Sequence, residues 1–316
     1  MLHRFIFSAL TVLLCTGSLP ATAAFPEKAI QIIVGFAPGD AIDGTARVIA
    51  EQLEKDLSVP VVVVNIAGGG GAKGTAAAAK KPADGYTLLM GSTGALTARP
   101  QISNSGYTTD DFVALAQLTE VPIGLAVSKD SPYQSLAELV DAAKAGTVKY
   151  ATPAPGSTQH INMAAFAAAN DLNLIHIGGK GGKGAVTKAL SGEVDFVFVG
   201  ASNYTALAKS GDLKVLAVAA PERVAYLPDA PTFQEQGYDL TAAVWFGLLA
   251  RQGTADDVLL TLREAIDKVA TMEQTEALYR KFNFNAAYLN AADFQQRINA
   301  NVAHHADVLK AIGLIK

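Results

Sequence analysis

The sequence predicts an α/β fold in two lobes, joined by two strands that cross between them. Three observations predict it. Short apolar runs of strand length alternate with stretches of helical spacing along most of the chain, and most of those runs end in glycine-containing turns. One strand, turn and helix plan occurs twice, as AIQIIVGFAPGDAIDGTA from Ala29 and as YATPAPGS from Tyr150. A length of 316 residues, half of them hydrophobic and 17% charged, gives an ample core and suits two domains.

Taken in order, Ala29 to Phe36 is a nearly continuous apolar run, as a buried parallel strand requires. Pro38 and Gly39 break it, and Ala46, Ile49, Ala50, Leu53 and Leu57 then follow at the spacing of a helix with one buried face, capped by Asp43 or Thr45. Val59 to Asn65 is a second strand, ending in Gly68 to Gly71; an alanine-rich helix from Ala72 to Lys81 leads to a third, Tyr86 to Met90, which ends in the turn Gly91, Ser92, Thr93, Gly94. Phe112 to Leu118 and Pro122 to Ser128 read as two adjacent strands and as the first crossing. Ser135 to Ala145 is a helix, and Ser157 and Thr158 cap another that contains Met163 and Phe166. Strands at Leu172 to Ile177, Val194 to Val199 and Lys214 to Val218 surround helices at Ala185 to Leu190 and Tyr204 to Lys209. Trp245 to Ala250 is the second crossing, and Thr254 to Ile312 is mostly helical. A chain that leaves its first lobe and returns to it has the layout of a hinge.

Residues 1–24 read as a secretory signal: basic His3 and Arg4, an apolar run from Phe5 to Leu14, and small residues Ala21 to Ala24 at the cut. No later apolar stretch reaches the roughly 18 to 20 residues a membrane span needs. The only cysteine, Cys15, lies inside the signal, so the mature chain has no disulfide or cysteine-held metal. The net charge of −4 comes with no basic patch of the kind nucleic acid requires.

A strand, tight turn and helix leaves backbone N–H groups unpaired at the helix start, facing the crevice beyond the strand, which is an anion site in prospect. Gly69, Gly71 and Gly74, and again Gly179, Gly181 and Gly184, match G-x-G-x-x-G, but the strands that follow end in Met90–Gly91 and Val199–Gly200 without the acidic residue a ribose needs. The glycines are read as permitting tight turns and close backbone approach, and no cofactor is expected. Lys73, Lys180 and Lys183 lie in or beside the glycine loops and are either solvated or, if facing the cleft, partners for a carboxylate. Ser157 with His160 lacks a G-x-S-x-G elbow, and His160, His176, His304 and His305 show no metal spacing; the His304–His305 pair is expected to face solvent. Trp245 and Phe246 read as hinge or core residues, and Asp43 as either a cap or a group turned to the cleft.

With these residues in hand, the chain resembles the solute-binding proteins of tripartite tricarboxylate transporters, the Bug family, over nearly the whole mature length. The stretches that carry the resemblance are IIVGFAPGDAIDGTAR, VVVVNIAGGGGAKG, ADGYTLLMGSTG, YATPAPGST with His160, SGEVDF, LPDAPTFQEQGY and WFGLLARQGT. The resemblance implies a two-lobed periplasmic binding protein of the Venus flytrap, type II-like kind, with residues 25–126 and 242–316 in one lobe and 127–241 in the other. It implies a small organic carboxylate, di- or tricarboxylate favoured, closed on between the lobes and delivered to the membrane subunits of the transporter by a monomeric, non-enzymatic protein. Carried over by position, the ligand-binding residues are Phe36, Pro38, Gly39, Asp40, Ala41, Asp43, Ser92, Thr93, Ser157, Thr158 and His160, and Lys180 joins them if it faces the cleft. Three departures stand out: Asp40 replaces the second glycine of the usual P-G-G, the usual P-Y-K-G becomes Gly178 to Gly181 without its aromatic, and Val199 stands where an aspartate is usual. Other readings are a ligand-sensing subunit for a sensor kinase and a secreted hydrolase using Ser157 and His160.

Overall fold

The computed structural model describes residues 25–281 and 284–316, so the export signal read in residues 1–24 lies outside the described residues. β1 (Ile30–Val34) buries Ile30, Ile32, Ile33 and Val34 almost completely, as a strand covered on both faces must. After it come α1 (Ala41–Leu57), β2 (Val61–Asn65), α2 (Ala72–Ala79) and β3 (Thr87–Ser92). β1 lies between β2 and β3, parallel to both, with Ile32 opposite Val63 on one side and Leu88 on the other. The glycine loop after β2 lets α2 press on the end of β1: a Cβ on Gly74 would lie 2.4 Å from the Cα of Gly35. β3 runs on through Ser92, and the open turn expected at Gly91 to Gly94 is instead a π-helical turn, Gly94–Ala98, leading straight into α3 (Arg99–Ile102).

β4 (Phe112–Ser128) is one strand of 17 residues where the sequence suggested two. The polar interruption that looked like a break is satisfied inside the fold, because Glu120 accepts a hydrogen bond from Arg297 at 3.0 Å and Thr119 meets Thr45 at 3.1 Å. α4 (Leu136–Ala145), β5 (Val148–Thr152), α5 (Thr158–Ala169), β6 (Leu174–Gly178), α6 (Gly182–Leu190), β7 (Phe196–Gly200), α7 (Ala201–Ser210) and β8 (Leu213–Val218) follow. The chain then returns through β9 (Ala243–Arg251) to α8 (Asp256–Ala270), α9 (Glu273–Lys281), β10 (Asn285–Leu289) and α10 (Ala291–Ala311). β10 interrupts a stretch read as mostly helical; it pairs antiparallel with β4, Asn285 lying opposite Glu120.

The strand order β2-β1-β3-β9-β4-β7-β5-β6 makes β4 common to two halves of one curled sheet. From Phe112 to Pro122 it pairs with β9, and from Ile123 onward with β7 and β8. One core cluster runs through both halves, from Ile32, Ile49 and Leu53 to Val186, Val197 and Tyr204, and a second, built on Ile123, Leu125, Leu139, Phe196, Phe198 and Phe233, belongs to the second half. A smaller cluster of Ala98, Ile161, Val308 and Leu309, flanked by Ile102, Ile312 and Ile315, packs α3 and the end of α10 against α5.

Two histidines, His160 and His305, are buried in this packing, and a third, His176, is half-buried. His305 was expected to face solvent, but only its neighbour His304 does: α10 turns His305 inward, and its Nδ1 lies 2.9 Å from Thr97 Oγ1. The His160 ring stacks on His176 at 3.9 Å; His160 Nδ1 accepts from the Gly156 N–H and His176 Nε2 lies 2.8 Å from Thr152 Oγ1. Burial lowers all three from the ordinary 6.5 to about 4, with the neighbouring histidine adding to it at His176 and His305.

Neutral histidines that an unfolded chain would protonate bind fewer protons when folded, so their share of stability is complete above pH 6.5 and is lost as the pH falls toward 4. Urea midpoints should therefore be flat above neutrality and fall across that window. Gly74→Ala should cost about 1–3 kcal/mol by forcing α2 off β1, read as a lower urea midpoint at unchanged slope.

Candidate functional site

Parallel strands followed by helices bring the helix starts to one edge of the sheet, and here that edge borders a cavity of about 620 Å³ between the two halves. Four helices begin in its wall: α1 at Asp40 to Ile42, α5 at Ser157 to Gln159, α6 at Gly181 to Lys183, and α7 at Gly200 to Asn203. Each start carries unpaired N–H groups and the positive end of a helix dipole. Val121 and Val244, from the crossing strands, form part of the floor with Phe246. The halves touch at the rim, where a Cβ on Gly94 would lie 3.1 Å from Thr158 Oγ1.

Of the twelve residues singled out from the sequence, Phe36, Asp40, Ala41, Ser92, Ser157, Thr158 and Lys180 line this cavity. The other five stand behind it. Pro38 and Gly39 form the exposed turn before α1, and the Gly39 N–H donates to Asp43 Oδ2 at 2.9 Å. The N-cap of α1 is Asp40, so Asp43 sits in the first turn, where it also accepts from Arg47 Nε at 3.0 Å and Asn65 Nδ2 at 2.9 Å. Burial opposes its charge, but Arg47, the Gly39 amide and Asn65 outweigh that and hold the carboxyl below the usual 3.8. Asp43 thereby fastens the β1 to α1 turn to the end of β2. Thr93 accepts the Trp245 N–H at 2.9 Å, which ties the end of β3 to the returning strand.

Ser157 caps α5 as expected, its Oγ accepting the backbone N–H of His160 at 3.2 Å. The bond between these two residues thus uses the histidine's backbone, while the ring's Nδ1 is taken by Gly156. His176, Thr152 and Ser157 form a chain of contacts of 2.8 and 3.3 Å that stiffens this wall from behind.

Three cationic side chains and one carboxylate face the cavity: Arg99, Lys180, Lys183 and Asp40. Lys180 is held at a positive φ of 55°, in the second glycine loop, whereas Lys73 lies outside the cavity wall. Arg99 was missed from the sequence. It follows the π-helical turn and is anchored by Nε and Nη2 to the Gly69 carbonyl at 3.2 and 3.0 Å, and the π geometry that aims it has no sequence signature. Ser202 and Asn203 were missed although a signal existed, since they follow a strand and open a helix just as Asp40 and Ser157 do. Phe246, read as hinge or core, reaches the cavity, while Trp245 is fully buried and donates from Nε1 to Asn301 at 2.8 Å.

Comparison with known proteins agrees with this fold. The family described as "Tripartite tricarboxylate transporter family receptor" matches residues 45–314. Protein BugT of Bordetella pertussis is 32% identical over 288 residues, covering 88% of this chain and 87% of BugT. The solved structure of periplasmic binding protein BugD is 28% identical with a TM-score of 0.78, covering 92% of this chain and all of that one (100%). R. palustris Rpa4515, solved with adipate, is 26% identical with a TM-score of 0.81, covering 92% and 98% of the two chains. The chain belongs to the tripartite tricarboxylate transporter receptor family.

Proposed function

We propose that this chain captures a small organic carboxylate in the cleft between its two lobes and delivers it to the membrane subunits of a tripartite tricarboxylate-type transporter. The observation that carries this is the convergence of four helix starts and three cationic side chains on one cavity. Similarity to Rpa4515, whose structure contains adipate, supports the ligand class. The lobes are residues 25–126 with 242–316, and 127–241, moving about the crossing of β4 and β9. The protein works as a monomer in the periplasm after removal of residues 1–24. Among the described residues no helix is long and apolar enough to cross a membrane, in keeping with that reading.

Capture is a population shift: the carboxylate bonds to helix starts of both lobes only when they are closed, and so stabilises that state by its differential affinity. A closed pair of lobes then presents a surface that the open pair does not have. No turnover is part of this reading, because the ring of His160 is engaged by Gly156 rather than Ser157.

Thermal unfolding of the mature chain against mono-, di- and tricarboxylates tests the proposal. A true ligand at about 100 times its dissociation constant adds about 2.7 kcal/mol, and a rise confined to nucleotides, or none at all, counts against the carboxylate reading. Lys180→Ala should weaken a dianion by about 1.5–3 kcal/mol through loss of a charge-assisted bond, measured by calorimetric titration; an unchanged affinity would remove Lys180 from the ligand's contacts.

A further inference from the structure

We propose that Asp40 is the specificity-determining residue of this cleft, and that it selects a carboxylate which also carries an amino group. The inference rests on the carboxylate-binding reading given above and narrows its ligand class.

Asp40 occupies the N-cap of α1 with the extended backbone of a cap, φ −73° and ψ 160°, yet its side chain makes no cap bond. An aspartate at this position ordinarily spends its carboxylate on a first-turn N–H. The turn is fastened instead by Asp43, which accepts the Gly39 N–H from behind. The fold therefore leaves the Asp40 carboxylate acceptor capacity, and that residue lines the cavity. Among the described residues it is in no ion pair, although it stands within the field of Lys183 from α6 across the cleft. Burial raises its carboxyl above the usual 3.8, against the opposing pull of Lys183 and the Ala37 amide, with Asp43 adding to the rise.

The cavity is thus polarised. The half that carries α1 offers the Asp40 carboxylate with the Arg99 guanidinium; the opposite wall offers two ammonium groups, Lys180 and Lys183, with the starts of α5, α6 and α7, and, among the described residues, no carboxylate. A ligand that is anionic throughout satisfies Lys180, Lys183 and Arg99 but meets like charge at Asp40. A ligand with a carboxylate at one end and an ammonium group reaching Asp40 satisfies both walls, forming a charge-assisted hydrogen bond on each side. Discrimination of this kind rests on the like charge that Asp40 presents to a ligand whose amino group is missing.

The test is calorimetric titration of the mature chain with matched pairs that differ by one amino group: succinate and aspartate, glutarate and glutamate, butanoate and 4-aminobutanoate. The amino member of at least one pair should bind at least tenfold tighter than its parent. Asp40→Asn and Asp40→Gly should each reduce that ratio by at least tenfold, weakening the amino member and strengthening the parent. Both replacements are favourable N-cap residues, so the start of α1 is kept, and circular dichroism checks this. Parents that bind as tightly as their amino partners, or a ratio unmoved in both variants, would overturn the role of Asp40 while leaving carboxylate binding intact. Failure of every carboxylate to bind would overturn the carboxylate-binding reading and this inference with it.

Discussion

Strand β4 changes partners in mid-course, and the rest of the molecule is arranged around that change. Up to Pro122 it lies beside β9, with β10 also pairing to it; from Ile123 it lies beside β7 and β8. Proline has no N–H to give a ladder, so the residue where one set of partners ends is one that cannot continue the bonding in full. Just beyond, Gly124 admits the Tyr204 ring, whose Cζ would stand 2.6 Å from a Cβ there. One continuous strand therefore joins the two halves, and the residues at its crossover, Val121 with Val244 of β9, are also floor residues of the cleft.

The chemistry of the cleft follows from this topology more than from any one side chain. Each half contributes parallel strands whose following helices begin at the shared gap, so dipoles and free amides of both halves point at the same volume. Side chains tune the field that the backbone creates. Most of the residues that look functional but stand behind the wall do positioning work: Asp43 locks the first turn, Thr93 joins β3 to β9, and His160 and His176 brace the start of α5.

Much of the fold was legible in the sequence because buried parallel strands write themselves as valine and isoleucine runs, and because helix starts announce themselves as Pro/Gly turns with small polar caps. The same local grammar located the turns before α1 and α5. It was silent wherever tertiary partners decide the outcome. Glu120 looks like a strand end until Arg297, far along the chain, supplies its partner. β10 is short and lies in a stretch of helical composition; only the exposed side of β4 makes it a strand. Within the site, whether a lysine in a glycine loop faces solvent or the cleft depends on the backbone's left-handed bend at Lys180, which the neighbouring glycines permit but do not dictate. Arg99 depends on a π-helical turn, and His305 on which face of α10 meets Thr97.

Trp245 is the single tryptophan of the chain, and its amide is tied to Thr93 while its indole is bonded to Asn301 and set edge-on against Phe294. The residue next to it, Phe246, lies in the cleft. The chain thus has its one strong near-ultraviolet fluorophore on the returning strand of the crossing, a residue away from the cleft and rigidly held. Its emission is a native optical gauge of the crossing, readable without a label and uncontaminated by a second indole elsewhere.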